Sequence, residues 1–119
     1  MNIKDFVKNY YLHDSGVQGI KYIKEQNILE LDINFCYLLQ DNYQEGTKET
    51  GDVKFVFSEV HIFKVNYFDI EEGDFDDDCI LECRMEDDGT LLLQMMKDVS
   101  GQYYEIHIGA NNVEFIEDN

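Results

Sequence analysis

The run Asp74-Phe75-Asp76-Asp77-Asp78 offers the densest chemistry in this sequence. Carboxylates at its first, third and fifth positions match the opening of a calcium-binding loop, which draws oxygen ligands from alternate residues. The match stops there. The sixth position is Cys79, where the turn requires glycine, and the twelfth is Met85, where a bidentate glutamate would complete the shell. The run therefore reads as an acidic loop turned toward solvent or a partner, and neither a metal nor a cofactor is expected. A second acidic cluster, Glu86-Asp87-Asp88, occupies a turn further on. Backbone hydrogen bonding accounts for one aspartate at such a turn, but not for three successive acids.

Other reactive residue types give less. His13, His61 and His107 stand outside any H-x-H, H-E-x-x-H or C-x-x-C setting. His13-Asp14 joins an imidazole to a carboxylate, yet sequence neighbours rarely converge on a substrate, and no third group to orient the ring can be named. Cys36, Cys79 and Cys83 are odd in number. On one strand the Cα atoms of Cys79 and Cys83 would lie ~13 Å apart, too far for a disulfide. Reduced thiols fit a cytoplasmic address, as does an N-terminus without the apolar core of a signal peptide. Neither a glycine-rich phosphate loop nor a nucleophile elbow is present. No catalytic residue is assigned, and the chain reads as non-enzymatic.

Charge gives direction. The formal net charge is -17, and residues 69–119 hold sixteen carboxylates against two basic side chains. Such a field repels nucleic acid and anionic membranes and attracts a basic protein. The expected partner-binding set is Asp74, Phe75, Asp76, Asp77, Asp78, Glu86, Asp87 and Asp88, with Tyr67, Phe68 and Phe75 as aromatic anchors beside the acids. One strand separates the two acidic turns. They are thus expected at its opposite ends, linked by outward-facing Glu82 and Arg84.

The elements that must position these residues follow from periodicity. A length of 119 residues, with 44% hydrophobic and 13% aromatic content, predicts one folded domain over 1–119. Ile3, Phe6, Val7, Tyr10 and Tyr11 form one apolar stripe, which predicts a helix over 3–12 capped by Asn2. Thereafter the period is two. Strands are expected over 17–25, 28–35, 53–57, 60–68, 79–85, 91–97, 103–108 and 113–116. Gln26-Asn27 and Asn111-Asn112 are read as turns, and Ser58-Glu59 as a bulge or bend. Residues 40–52 form a long polar loop. On the strand from 79, alternation puts Cys79, Leu81, Cys83 and Met85 on one face. The fold class is mainly β, α+β at the margin. One short N-terminal helix precedes about seven or eight antiparallel strands in a meander, a sandwich or a partly open barrel.

Tyr11-Leu12-His13-Asp14-Ser15, followed by Gly19-Ile20-Lys21-Tyr22 and Ile28-Leu29-Glu30-Leu31-Asp32-Ile33, resembles the opening of a group of small bacterial proteins. Some of these are immunity proteins of polymorphic or contact-dependent toxin systems. The resemblance implies a cytoplasmic protein that neutralises a toxin by binding, and it carries no catalytic residues. Two functions follow. The first is an acidic binding protein that meets a cationic, nuclease-like toxin. The second is a small structural or accessory β-domain that self-associates as a homo-oligomer, its acidity serving solubility.

Overall fold

A computed structural model describes residues 1–69, 77–98 and 100–117. The Asn2 side chain accepts the backbone N–H of Asp5 at 2.8 Å and caps α1 (Ile3–Asn9). The apolar stripe continues to Tyr11, but the helix stops earlier, because Tyr10 adopts an extended backbone (φ -128°, ψ 123°). This lays the Tyr10 ring flat on Phe115, with centroids 4.5 Å apart and planes within 3°. The Gln40 amide then clasps Tyr11, accepting its N–H at 2.9 Å and donating to its carbonyl at 2.6 Å. Tertiary partners thus outweigh the local period at the helix end.

Among the described residues the strands are β1 (Gly16–Ile23), β2 (Ile28–Cys36), β3 (Thr50–Asn66), β4 (Asp78–Met85), β5 (Leu91–Met96) and β6 (Tyr103–Glu117). All pair antiparallel in the order β1-β2-β3-β6-β5-β4. The sheet closes into a barrel where Gly16 and Val17 of β1 meet Cys79 and Asp78 of β4. The chain is mainly β, as expected, but with six strands rather than seven or eight. Both lost breaks lie at one corner. Ser58 stands opposite Asn112 in register, and the Asn111 side chain donates to Glu59 Oε2 at 2.8 Å. Glu59 takes φ +53°. Ser58-Glu59 is thus the bend read from sequence, within one strand, whereas Asn111-Asn112 is the matching bend in β6 and not the turn expected there. The hairpin before β2 is a 3-10 turn, Lys24–Gln26, closed by Asn27 in the left-handed region.

A register shift between Ile80 and Glu82 changes the facing of β4. Asp78 and Ile80 point inward, 1% and 0% exposed, and beyond the shift Cys83 packs on the core. Cys79 is therefore not on the face with Cys83 that plain alternation predicts, because one unpaired residue changes the phase.

Helix α1 plugs the barrel, packing against β4 and β6. Phe6 is fully buried and meets Phe55 and Phe57 edge-on at 5.0 and 6.1 Å. Around it stand Leu29, Leu31 and Ile33 of β2 and Leu91, Leu93 and Met95 of β5, all buried. Each such side chain contributes about 1.5–3 kcal/mol by leaving water. Among the described residues every buried side-chain nitrogen or oxygen has a hydrogen-bond partner.

Candidate protein-interaction face

The expected partner-binding residues do not form one patch. Asp74, Phe75 and Asp76 lie outside the described residues. Asp78 is a correction. As the first residue of β4 it points into the barrel, where its Oδ2 lies 3.1 Å from Lys97 Nζ and accepts the Tyr104 hydroxyl at 2.6 Å. Lys97 in turn sits 3.8 Å over the Phe68 ring. Asp78 is thus neutralised inside the fold and is not available to a partner. Phe68 packs on the core and on Tyr104, so it is no surface anchor either. Asp77 is exposed, and its carboxylate lies so close to Gly16 that a Cβ there would overlap it.

At the far end of β4, Glu86 pairs with Arg84 at 3.5 Å. Asp88 receives the Thr90 N–H at 3.1 Å and the Thr90 hydroxyl at 2.6 Å. Those bonds hold the Asp88 carboxyl below its ordinary range. Since the Thr90 proton goes to Asp88, its oxygen accepts from His107 Nε2–H at 2.5 Å. Glu86 and Asp88 therefore serve their own hairpin, with Asp87 exposed beside them.

Carboxylates from separate segments do converge at the Asp77 end. The Asp14 N–H donates to the Ile80 carbonyl at 3.1 Å and the Asp98 N–H to Asp78 Oδ1 at 3.4 Å, which brings both residues to the start of β4 beside Asp77. Burial, and then the negative charges of Asp14, Asp77 and Asp98, push the Cys79 thiol upward. On the outer face of the adjoining sheet, Met96 stands across from both Cys79 and Tyr103, and Gln94 across from both Glu82 and Glu105. The Tyr103 hydroxyl donates to Glu105 at 2.6 Å and accepts from Gln94 at 3.0 Å. The bond to Glu105 is the main cause of a raised Tyr103 hydroxyl. Tyr67 completes the face, 69% exposed, with its ring 6.3 Å from that of Tyr103. Its backbone sits at φ +72°, unusual for a bulky residue, and its carbonyl accepts the Gln102 side chain at 2.7 Å. Met96 and Tyr103 are also exposed. The result is an aromatic and methionine contact area framed by Glu82, Glu105, Asp98 and Asp77. The next register row bounds it, running across Arg84, Leu92, His107 and Lys64.

His13 and Asp14 do approach each other, contrary to the sequence expectation, with Nε2 and Oδ1 3.4 Å apart. The third group is a backbone atom, since His13 Nδ1–H donates to the Leu81 carbonyl at 2.7 Å. Both ring nitrogens are thus engaged, and the ring tethers the start of β1 to β4. Beside it runs a surface cleft of about 360 Å³ between Tyr10–Leu12 and Leu81–Cys83. A wider cleft of about 520 Å³ lies between α1 and residues Leu39 to Asn42.

Among the described residues no group of three or more His, Cys, Asp or Glu gathers to hold a metal ion. No helix among them is long and apolar enough to cross a membrane. Of the face just described, sequence reasoning singled out Tyr67, Asp77 and Glu82. Met96, Tyr103, Glu105, Asp98 and Asp14 were missed. The alternation Tyr103-Glu105-His107 was visible as a strand with a polar side, but only cross-strand register shows that this side meets Met96 and Tyr67. Comparison with protein-family models, curated proteins and solved structures finds no match to this chain.

Proposed function

We propose that this chain is a non-catalytic binding domain for a basic protein, of the kind that would let an immunity protein neutralise a nuclease-like toxin. One observation carries the reading: Tyr67, Met96 and Tyr103 stand exposed within a frame of carboxylates. Tyrosine, methionine and a charged rim are the makings of an interface centre and its border. Both basic side chains of residues 69–119 are already engaged, Lys97 inside with Asp78 and Arg84 with Glu86. Residues 69–119 thus offer their other carboxylates no further basic side chain of their own segment, and an acidic field there would speed encounter with a cationic surface. A core of packed apolar side chains, with the His13 and His107 rings held by their own chain, favours binding over catalysis.

The test is capture of a basic partner from the source cell, followed by association kinetics with purified proteins. Asp77→Lys, Asp98→Lys and Glu105→Lys together should slow association by at least tenfold at low salt and leave thermal stability near that of the parent. Association as fast as the parent's would end the proposal. The alternative, self-association, draws support from a different place. Tyr11, Leu38 and Leu39 are 56%, 46% and 39% exposed around the Gln40 clasp. Sedimentation equilibrium separates the two, since a stable homo-oligomer lost on Leu38→Asp would favour the alternative.

A further inference from the structure

We infer that the outer face of β5 and β6 takes an arginine side chain of its partner, held over the Tyr67 and Tyr103 rings and paired with Glu105. This deepens the binding reading above and rests on it. A guanidinium needs an aromatic face within about 6 Å of its charge and a carboxylate it can meet side-on. Both are present. The Tyr67 and Tyr103 centroids are 6.3 Å apart with planes at 39°, too close to admit a cation between them, so the guanidinium lies over the exposed ring faces. Glu105 is fixed from one side by the Tyr103 hydroxyl at its Oε2, which aims the carboxylate along the same face. Gln94, donating to the same hydroxyl at 3.0 Å, stops the ring from turning away.

The molecule already uses this combination once. Lys97 lies 3.8 Å over the Phe68 ring and 3.1 Å from the Asp78 carboxylate, with the Tyr104 ring 5.7 Å away. On the opposite surface of the same sheet, Tyr67, Tyr103 and Glu105 present rings and a carboxylate to solvent. Lys64, on β3 across from His107, would repel a cation approaching from that end of the strands, which gives the approach a direction. Arginine is favoured over lysine because its flat, weakly hydrated head stacks on rings and pairs side-on with carboxylate. The left-handed backbone of Tyr67 holds an aromatic ring at a position where asparagine or glycine would be easier, in keeping with a contact role for the ring.

The probes are two short capped peptides of equal length and charge, one with arginines and one with lysines, titrated into the full chain and followed by amide chemical shifts. The expected result is shifts at Tyr67, Tyr103 and Glu105 and at least threefold tighter binding of the arginine peptide. Tyr103→Phe keeps the ring but frees Glu105 and Gln94, so it should weaken that preference in part, whereas Tyr103→Ala and Glu105→Gln should each abolish it. Tyr67→Asn, which suits the left-handed backbone, should weaken it without loss of folding. Equal binding of both peptides at this face would overturn the arginine inference and leave the acidic docking reading standing. Shifts confined to other surfaces would overturn both.

Discussion

Asp78 and Lys97 show how one residue's facing decides between surface and core. In sequence Asp78 is the last member of an acidic run, yet in the fold it is 1% exposed and bonded to Lys97 and Tyr104. Removing one partner of a buried ion pair leaves the other charged and desolvated. Asp78→Ala should therefore cost about 3–5 kcal/mol, read by urea denaturation, whereas Asp87→Ala at the exposed hairpin turn should stay within about 0.5 kcal/mol. Equal effects at the two positions would contradict the inward assignment. Alkaline pH tests a second contact, between Tyr37 and Glu117. Burial first, then the hydrogen bond and charge of Glu117, push the Tyr37 hydroxyl up to about 12 from 10.0. The Tyr104 hydroxyl is raised too, by burial and then by Asp78. A folded-state value above the unfolded one means that the folded chain holds its proton more tightly. This stabilisation is complete below pH 10.0 and is lost as pH climbs toward 12. Melting temperature should thus fall steeply across that window, and Tyr37→Phe should make the fall shallower. An identical slope for the variant would remove Tyr37 as a cause.

The corner shared by β3 and β6 bends the two longest strands of the barrel. Gly109 sits there, opposite Ile62, where a Cβ would come within 2.8 Å of His61 Nε2 and 3.0 Å of Ile62 Cβ. His61 can swing aside, but Ile62 cannot move without disturbing the strand pairing. Gly109→Ala should accordingly cost about 1–3 kcal/mol, by the usual penalty for overpacking, seen as a lowered thermal midpoint with secondary structure intact. The same corner explains what could be read in advance. Alternation in β2, where Leu29, Leu31, Ile33 and Phe35 are all buried, was legible because strand period is a local property. Asn111-Asn112 looked like a turn for an equally local reason, and only its placement across from Ser58 makes it a bend. Helix length was misjudged because Phe115 and Gln40, far away in sequence, pull Tyr10 and Tyr11 out of the helix. The interaction face follows the same division. Tyr67 beside its acids was legible, whereas its neighbours Tyr103 and Met96 depend on a cross-strand register that composition does not encode. Charge clustering in sequence pointed to residues 69–119 but could not separate Asp77, which is exposed, from Asp78, which is buried.

At the scale of the whole molecule the net charge of -17 opposes compaction, and the fold spends some of its few cations internally. Lys97 is buried with Asp78, and Lys54 is shared between Glu30 at 3.6 Å and Asp32 at 3.8 Å. Two effects of salt compete. Screening weakens exposed pairs such as Lys54 with Glu30, but each is worth only about 0–1 kcal/mol. It also weakens repulsion among the many surface carboxylates, which act over a range of about 30 Å at 0.01 M salt and about 10 Å at 0.1 M. With 26 acids against nine bases, repulsive pairs far outnumber attractive ones, so the second effect should win. Thermal midpoint should rise with added sodium chloride, and most of the rise should be complete by about 0.2 M, where the screening length has shrunk to about 7 Å and only near neighbours still repel. The Asp78–Lys97 pair lies out of reach of this screening, so Asp78→Ala should lower the whole curve without changing its shape. Calorimetry across the salt series, with potassium chloride as a check on ion identity, measures this directly. A flat or falling midpoint would mean that the carboxylates are already balanced within the fold, and the attractive field invoked for a basic partner would then have no physical source.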